Sequence, residues 1–114
     1  MIKGIGTDIV SVQRMSSQLK ERILSIPEKE LYDSFTSEDR KNTFLAGRFA
    51  AKEAIAKALS HTDLDLSYRE LIILNDEHGK PYLQCDKLSG LTVWISIAHE
   101  QEYAVGFCLI ETLL

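Results

Sequence analysis

The sequence predicts an α+β fold, in which helices come first along the chain and pack on an antiparallel β-sheet formed by later segments. The first half places apolar residues at helical spacing, most clearly over residues 38–59. The second half alternates apolar with other residues, as a strand does over residues 91–98. Because the chain has 114 residues, we expect a single domain over residues 1–114.

The first half begins with a short strand over residues 2–10, and three helices follow it. Apolar residues recur at helical spacing over residues 12–24, which predicts the first helix. Pro27 suits the first turn of a second helix that ends at about Phe35. The N-terminal half is therefore expected to be mainly helical.

The third helix is the longest, and it carries charges although it is apolar nearly all round. Thr36 or Ser37 is a good N-cap before two acidic residues, so the helix begins there and ends near Leu59. The charges of its second half are Arg48, Lys52, Glu53 and Lys57. Glu53 and Lys57 share one face beside small alanines, which leaves room for a ligand. A helix salt bridge with snorkelling cations is the alternative interpretation.

The second half contains a hairpin and two further strands. The segments ELIILND and KPYLQC flank Glu77-His78-Gly79, which indicates a hairpin with glycine at the turn. Residues 91–98 form the next strand, and residues 103–110 form the last strand after a turn. The long helix would cover this antiparallel sheet.

Two further polar positions interrupt the apolar patterns and are candidate functional residues. Asp8 lies between hydrophobic residues in the first strand, where Asp is disfavoured, although it could instead cap the helix starting near Ser11 or accept backbone N–H hydrogen bonds in a turn. His99 continues the apolar face at the end of its strand, where a satisfied core or turn histidine is the alternative.

The net charge of −4 argues against a general nucleic-acid-binding protein. Residues 1–60 carry ten Lys and Arg against eight Asp and Glu, a net of +2, whereas residues 61–114 carry three against nine, a net of −6. A basic N-terminal half suits an acidic partner or a phosphorylated ligand, and uneven surface charge is the plainer alternative.

The cysteine pattern and the lack of long apolar runs predict a cytoplasmic protein without membrane contact. Cys85 and Cys108 lie in apolar segments without CxxC spacing, so we expect buried free thiols and a reducing compartment. Residues 1–10 lack the basic start and apolar core of a signal peptide. No apolar run approaches the roughly 20 residues that span a membrane.

Four segments of the chain occur in one fixed order: GIGTDIV, FLAGRFAAKEAIAKA, EHGKPYL, and ISIAH followed by YAVG. This ordered set resembles the holo-acyl-carrier-protein synthases, the small trimeric branch of the phosphopantetheinyl transferases, and it spans nearly the whole chain. The resemblance implies the 4'-phosphopantetheinyl transferase fold and a homotrimer with sites at subunit interfaces. It also implies Mg²⁺-dependent transfer of 4'-phosphopantetheine from coenzyme A to a serine of apo acyl carrier protein, in fatty acid biosynthesis.

The resemblance also implies roles for individual residues. Asp8 and Glu53 match the family's Mg²⁺-binding carboxylates, and together with Lys57 they form the implied catalytic set. The implied coenzyme A-binding residues are Arg48, Lys57, Gly79, Lys80, Pro81 and His99. Lys52 matches a family basic residue that helps either with coenzyme A or with the structure. Glu53, or a water held near it, is the expected proton acceptor for the carrier serine.

Docking of the acidic carrier protein is expected on the basic N-terminal segment. Arg14 matches a family position on the helix that meets the carrier. Arg22 is a second expected docking residue because the first half of the chain is net basic.

One segment departs from the family pattern. Family members commonly have a glycine-rich stretch after the central helix, whereas residues 57–63 contain no glycine. Because glycine-rich turns let backbone N–H groups approach phosphates closely, we expect weaker coenzyme A binding. Two other interpretations remain open: a non-catalytic member of the same fold that binds coenzyme A or the carrier protein, and a purely structural oligomer without a ligand.

Overall fold

A long helix lies across one face of a three-stranded antiparallel sheet with the strand order β1-β5-β4. The structure, a computed structural model, describes residues 1–112. The strands are β1 (Ile2–Ser11), β2 (Ile72–Asn75), β3 (Pro81–Gln84), β4 (Thr92–His99) and β5 (Tyr103–Glu111). The α-helices are α1 (Lys20–Ile23), α2 (Ile26–Ser34) and α3 (Glu38–Ala58). This architecture confirms the predicted α+β class.

The long helix α3 begins where the N-cap signal predicts. Ser37 has an extended backbone, and its side chain accepts a hydrogen bond from the backbone N–H of Arg40. Two acidic residues in the first turn interact favourably with the positive end of the helix dipole. The apolar side chains on nearly all sides of its second half are buried, because both the sheet and the β2-β3 hairpin pack against it.

Glycines on the inner face of the sheet allow α3 to pack directly on β1 and β5. A Cβ atom added at Gly6 would overlap the carbonyl oxygen of Ala54, and one at Gly106 would overlap the backbone of Ala50. The obstructing atoms are backbone, so they cannot move aside as a flexible side chain could. The helix therefore rests on the strands with no side chain between their backbones.

The predicted helix over residues 12–24 is wrong. The segment contains two short 3₁₀ turns, Val12–Arg14 and Ser17–Leu19, and then the single α-helical turn α1. Met15 and Ser16 have extended backbones and interrupt the helical path. Val12, Met15 and Ile23 are all buried in one apolar cluster, so apolar residues at this spacing do not require a continuous helix.

The β2-β3 hairpin forms a separate two-stranded sheet, and its turn is the predicted one. Gly79 has φ = +84°, a conformation that glycine adopts without strain. The Asp76 carboxylate accepts hydrogen bonds from the backbone N–H groups of His78 and Lys80, at 2.8 and 2.9 Å. These bonds hold the turn in one conformation.

The outer face of the three-stranded sheet is apolar and exposed. Its large exposed side chains are Ile5 (62%), Ile9 (62%), Trp94 (46%), Tyr103 (45%) and Phe107 (37%). Contiguous apolar patches of this kind mark interaction surfaces more often than free solvent-facing surface. We refer to these five residues as the outer apolar face.

The two cysteines are both free, as predicted, but they differ in burial. Cys108 is fully buried beneath α3, and burial raises the pKa of its thiol to about 12. Cys85 is only partly buried, so the prediction of two buried thiols is correct for Cys108 alone.

None of the helices within residues 1–112 combines the length and the apolar character needed to cross a membrane.

The packing of α3 on glycine predicts that Gly6→Ala strongly destabilises the fold. The added methyl group would force the helix away from β1, and such overpacking costs about 1–3 kcal/mol or more. Chemical denaturation followed by circular dichroism measures this loss. Gly47→Ala is the matched control, because its Cβ would lie 3.1 Å from Cγ2 of Ile97, a side-chain atom that can shift. Equal stability of the Gly6 variant and the wild type would contradict this account of the packing.

Candidate functional site

Asp8 lies on the inner face of β1, next to the end of α3. It follows Gly6 by two residues and pairs with Gly106 of β5, so its side chain points to the same side as these glycines. The ammonium group of Lys57 lies 3.0 Å from Asp8 Oδ1 and donates a second hydrogen bond of 3.0 Å to the Thr7 carbonyl. The close packing of strand and helix thus brings an acid of β1 against a lysine of α3.

Two alternative interpretations of these charges are therefore wrong. Asp8 does not cap a helix: Ser11 holds the N-cap position of the following 3₁₀ turn, without a side-chain hydrogen bond. Lys57 does not pair with Glu53 on the helix surface but with Asp8. The side chain of Asp8 is 20% exposed and that of Lys57 is 55% exposed, so both remain accessible to a ligand.

Glu53 is held by a residue that the sequence did not single out. The hydroxyl of Tyr68, in the 3₁₀ turn Tyr68–Glu70, donates a hydrogen bond to Glu53 Oε1. Burial, the hydrogen bond to Glu53 and the charges of Glu53 and Asp8 together raise the pKa of Tyr68 to about 12. Both carboxylates thus act on one hydroxyl group, which stays a hydrogen-bond donor at neutral pH.

The two carboxylates fit a Mg²⁺ ion that shares its ligands with a substrate. Within residues 1–112, their protein contacts use Asp8 Oδ1 and Glu53 Oε1, so Oδ2 and Oε2 have no protein partner. The same part of the chain contains no cluster of three or more acidic, histidine or cysteine side chains that could hold a metal by itself. Mg²⁺ usually takes one or two carboxylates and completes its octahedron with phosphate and water. The donor set agrees with that pattern.

Tyr68 also lines a cavity of about 240 Å³. Its lining includes Arg14 and Arg22, the two residues predicted to dock the carrier protein, together with Phe49 and Tyr68. The positive charge of Arg22 also acts on the Tyr68 hydroxyl. The predicted docking residues are therefore neighbours of the residue that binds Glu53.

The remaining predicted residues form a second group on a different side of α3. Arg48 and His99 line a cavity of about 490 Å³ together with Asn75. The Arg48 guanidinium donates a 2.6 Å hydrogen bond to the Asn75 side chain, which in turn donates to the Gly79 carbonyl at 3.0 Å. This chain of hydrogen bonds connects α3 to the hairpin turn.

Lys80, Pro81 and His99 of this second group have different surroundings. The Lys80 ammonium group lies 4.8 Å from the centroid of the Trp94 ring, above the outer apolar face. Pro81 begins β3 and is partly buried. His99 ends β4 and is exposed, so it is not a buried core histidine.

Lys52 belongs to a buried ionic network and not to the surface. Its ammonium group donates hydrogen bonds to Glu28 Oε1 (2.6 Å), the Ile23 carbonyl (2.6 Å) and the Tyr68 carbonyl (2.9 Å). Both Lys52 and Glu28 are fully buried. Burial lowers the pKa of Lys52, and the negative charge of Glu28 opposes that shift. Of the two roles left open for Lys52, the structural one explains these contacts, and the snorkelling alternative is wrong.

Backbone and side-chain donors of other residues also bind the Glu28 carboxylate. Oε1 accepts bonds from the backbone N–H and the hydroxyl of Ser25, each at 2.8 Å. Oε2 accepts a bond from the Ile73 N–H at 3.1 Å and lies 3.8 Å from Arg48 Nε. The Ser25-x-x-Glu28 spacing is a capping-box signal that could have identified this glutamate from the sequence.

The loop after α3 uses ordinary backbone conformations. No residue other than glycine has positive φ within the described part of the chain. The Thr62 hydroxyl donates to the Leu59 carbonyl at 2.7 Å, so this hydroxyl is already used within the loop. The loop therefore presents no glycine-rich cradle of backbone N–H groups.

Comparison with known proteins gives a consistent result. Residues 4–108 match the family model of the 4'-phosphopantetheinyl transferase superfamily. The chain is 46% identical over 120 residues to the holo-[acyl-carrier-protein] synthase of Bacillus subtilis, covering 99% of this chain and 98% of that protein. It is 40% identical over 118 residues to that of Petrotoga mobilis, with 96% and 97% covered. A crystal structure of a holo-(acyl-carrier-protein) synthase from Bacillus anthracis in complex with CoA (3',5'-ADP) superposes with a TM-score of 0.87 at 37% identity, covering 98% of each chain.

Lys52 and Lys57 of α3 should contribute very differently to stability. Lys52→Met removes the cation closest to the buried Glu28 carboxylate and leaves only the more distant Arg48, and breaking a buried pair in this way costs about 3–5 kcal/mol. Lys57→Met removes an exposed partner of Asp8 and should change the free energy of unfolding by no more than about 1 kcal/mol. Denaturant titration of both variants tests this difference. If the two variants unfolded at the same denaturant concentration, the structural role of Lys52 would be refuted.

Proposed function

Because this chain belongs to the 4'-phosphopantetheinyl transferase superfamily, we propose that it transfers 4'-phosphopantetheine from coenzyme A to a serine of apo acyl carrier protein. The proposal is supported by two relatives named holo-[acyl-carrier-protein] synthase, each of which aligns with 99% of this chain. The observation that carries the proposal is the 3.0 Å contact between Asp8 and Lys57, which brings β1 against the face of α3 that also carries Glu53. The products are holo carrier protein and adenosine 3',5'-bisphosphate.

This arrangement supports a transfer site built on electrostatics and positioning. Asp8 and Glu53 would hold Mg²⁺, which when bound neutralises charge that develops on the leaving phosphate. Lys57 is exposed enough to contact a phosphate oxygen as a point charge while its stem stays against α3. The serine hydroxyl attacks the β-phosphate of coenzyme A as the bond to the leaving nucleotide breaks. Glu53, or a water beside it, accepts the serine proton.

Arg48, His99 and the Gly79-Lys80-Pro81 turn are proposed to bind the nucleotide part of coenzyme A. At about 100° per residue, Arg48 lies about 140° around the α3 axis from Glu53 and about 180° from Lys57. One chain therefore presents its acidic residues and its second group of binding residues on different sides. This separation supports a site completed by the second group of a neighbouring subunit.

The outer apolar face supports a homo-oligomer, and the family resemblance makes a homotrimer the proposed form. A small domain that leaves five large apolar side chains exposed on one sheet gains stability when a second copy covers them. A trimer would also bring the two groups of binding residues from different subunits together.

We further propose one domain over residues 1–114, a cytoplasmic location and a role in fatty acid biosynthesis. The family match over residues 4–108 supports the single domain. The free thiols of both cysteines support a reducing compartment.

Mass spectrometry of the carrier protein tests the proposed activity. Incubation with apo carrier protein, coenzyme A and Mg²⁺ should add the phosphopantetheine mass, and chelation of the metal should stop the addition. Asp8→Asn and Glu53→Gln should each lower the rate at least about 100-fold, since each removes a charged ligand. Thr7→Ser, which keeps the hydroxyl beside Gly106, is the control.

Each outcome of this assay discriminates between the interpretations. Binding of coenzyme A or carrier without mass addition would indicate the non-catalytic alternative, and neither binding nor transfer would indicate a purely structural oligomer. Near-normal rates in both carboxylate variants would refute the metal assignment while leaving the transfer activity in place.

Carrier docking on the cavity of Arg14 and Arg22 gives a separate prediction. Arg14→Glu should raise the KM for the carrier protein about 10-fold or more, because it opposes an acidic partner, and should leave the KM for coenzyme A nearly unchanged. Salt should weaken the effect, since it screens exposed charges. Lys3→Glu, an equal charge reversal at an exposed position of β1, is the control. Equal changes in both KM values would argue against a docking role.

A further inference from the structure

Two hydrogen bonds hold the main chain around Tyr68, the residue whose hydroxyl contacts Glu53. Its backbone carbonyl accepts a 2.9 Å hydrogen bond from the fully buried ammonium group of Lys52. The preceding Ser67 donates its backbone N–H to the Glu70 carboxylate at 2.8 Å, which closes the 3₁₀ turn. The main chain of Tyr68 is thus fixed by a buried cation and by a local capping contact.

The ring of Tyr68 lies along one turn of α3. It packs edge-to-face on Phe49, with ring centroids 5.6 Å apart. Phe49 and Glu53 are four residues apart, so they are neighbours on one helix face. The Tyr68 ring packs against Phe49 and its hydroxyl donates to Glu53, so α3 constrains both the ring and the hydroxyl.

The same ring faces the cavity of Arg14 and Arg22. One residue therefore contacts both the predicted docking cavity and the carboxylate predicted to bind metal. Because Tyr68 donates to Oε1, it restricts rotation of the Glu53 carboxylate about its terminal bond, and Oε2 keeps one orientation.

We propose that Tyr68 is a positioning residue that orients Glu53 for the divalent cation through its hydrogen bond to Oε1. This inference rests on the proposed function, because the orientation matters only if Glu53 is a metal ligand. Groups that hydrogen-bond to metal ligands commonly change metal affinity or activity about 10- to 100-fold when they are removed. Tyr68 acts on the substrate through Glu53 and is therefore not a catalytic residue.

The test uses Tyr68→Phe, which keeps the ring on Phe49 and removes only the hydroxyl. Binding of Mn²⁺, a spectroscopic substitute for Mg²⁺, is measured by electron paramagnetic resonance with the oligomeric protein and coenzyme A. We expect Mn²⁺ to bind about 10-fold or more weakly and the Mg²⁺ concentration for half-maximal transfer to rise by a similar factor. The KM for carrier protein should stay within about twofold, because Arg14 and Arg22 are unchanged.

Two controls separate positioning from general structural support. Tyr82→Phe removes the hydroxyl of an exposed tyrosine on β3 and should change neither metal affinity nor transfer. In a Glu53→Gln background, Tyr68→Phe should have little further effect on Mn²⁺ affinity, since its action passes through the carboxylate. This comparison remains informative if the single substitution also lowers thermal stability.

The results have distinct meanings. Unchanged Mn²⁺ affinity and unchanged Mg²⁺ dependence in Tyr68→Phe, with an active wild type, would overturn this inference and leave the proposed function intact. An equal loss of Mn²⁺ affinity with and without the Glu53 carboxylate would also overturn it. A wild type that neither binds Mn²⁺ nor transfers phosphopantetheine would overturn the proposed function, and this inference with it.

Discussion

Three glycines on the inner face of the sheet, Gly4, Gly6 and Gly106, lie against the backbone of α3 and leave no room for a side chain between them. The rest of the site depends on this contact, because it sets the distance between β1 and the helix. A strand places alternate residues on one face, so Asp8 follows Gly4 and Gly6 along the same row. At this spacing Asp8 reaches Lys57 with a direct 3.0 Å contact. The residues that allow close packing thus also determine where the first acid of the site lies.

A buried ion pair provides the second constraint, and it orders the segments that have little regular structure. Lys52 connects the carbonyl at the end of α1, the Glu28 carboxylate of α2 and the carbonyl of Tyr68. Buried ion pairs contribute little net stability compared with apolar residues of similar size, but they tolerate few alternative arrangements of their partners. The position of Tyr68, and through it that of Glu53, is therefore specified by a network whose charged side chains, Lys52 and Glu28, are fully buried.

Much of the fold follows from the sequence, and the exceptions have physical causes. Residues 38–59 were predicted as a helix because a cap, acidic first-turn residues and apolar spacing all agreed. The helix expected over residues 12–24 is wrong because the buried residues Val12, Met15 and Ile23 reach the core from short turns joined by extended backbone. The separation of the β2-β3 hairpin from the main sheet could not be predicted, since strand alternation carries no information about which strands pair across the chain.

The site itself was only partly predictable for a related reason. Asp8 and His99 stand out in strand patterns, Glu53 and Lys57 stand out as charges in an apolar helix, and the family resemblance gives roles to these positions. Tyr68 interrupts no pattern, and it lies in a short 3₁₀ turn beyond a loop, 15 residues after Glu53. Its role depends on tertiary contacts with Phe49 and Lys52, which no periodicity in the sequence reports.

Lys52 and Lys57 show that the position on α3, and not the residue type, decides what a charged side chain does. They are five residues apart, which rotates one to the buried side and leaves the other at the rim of the sheet. Lys52 has three protein acceptors for its three protons and no capacity left for a ligand. Lys57 has two acceptors and is half exposed, so a phosphate can replace water around it. One helix can therefore hold the fold together and also carry the proposed site residues only because its two faces meet different surroundings.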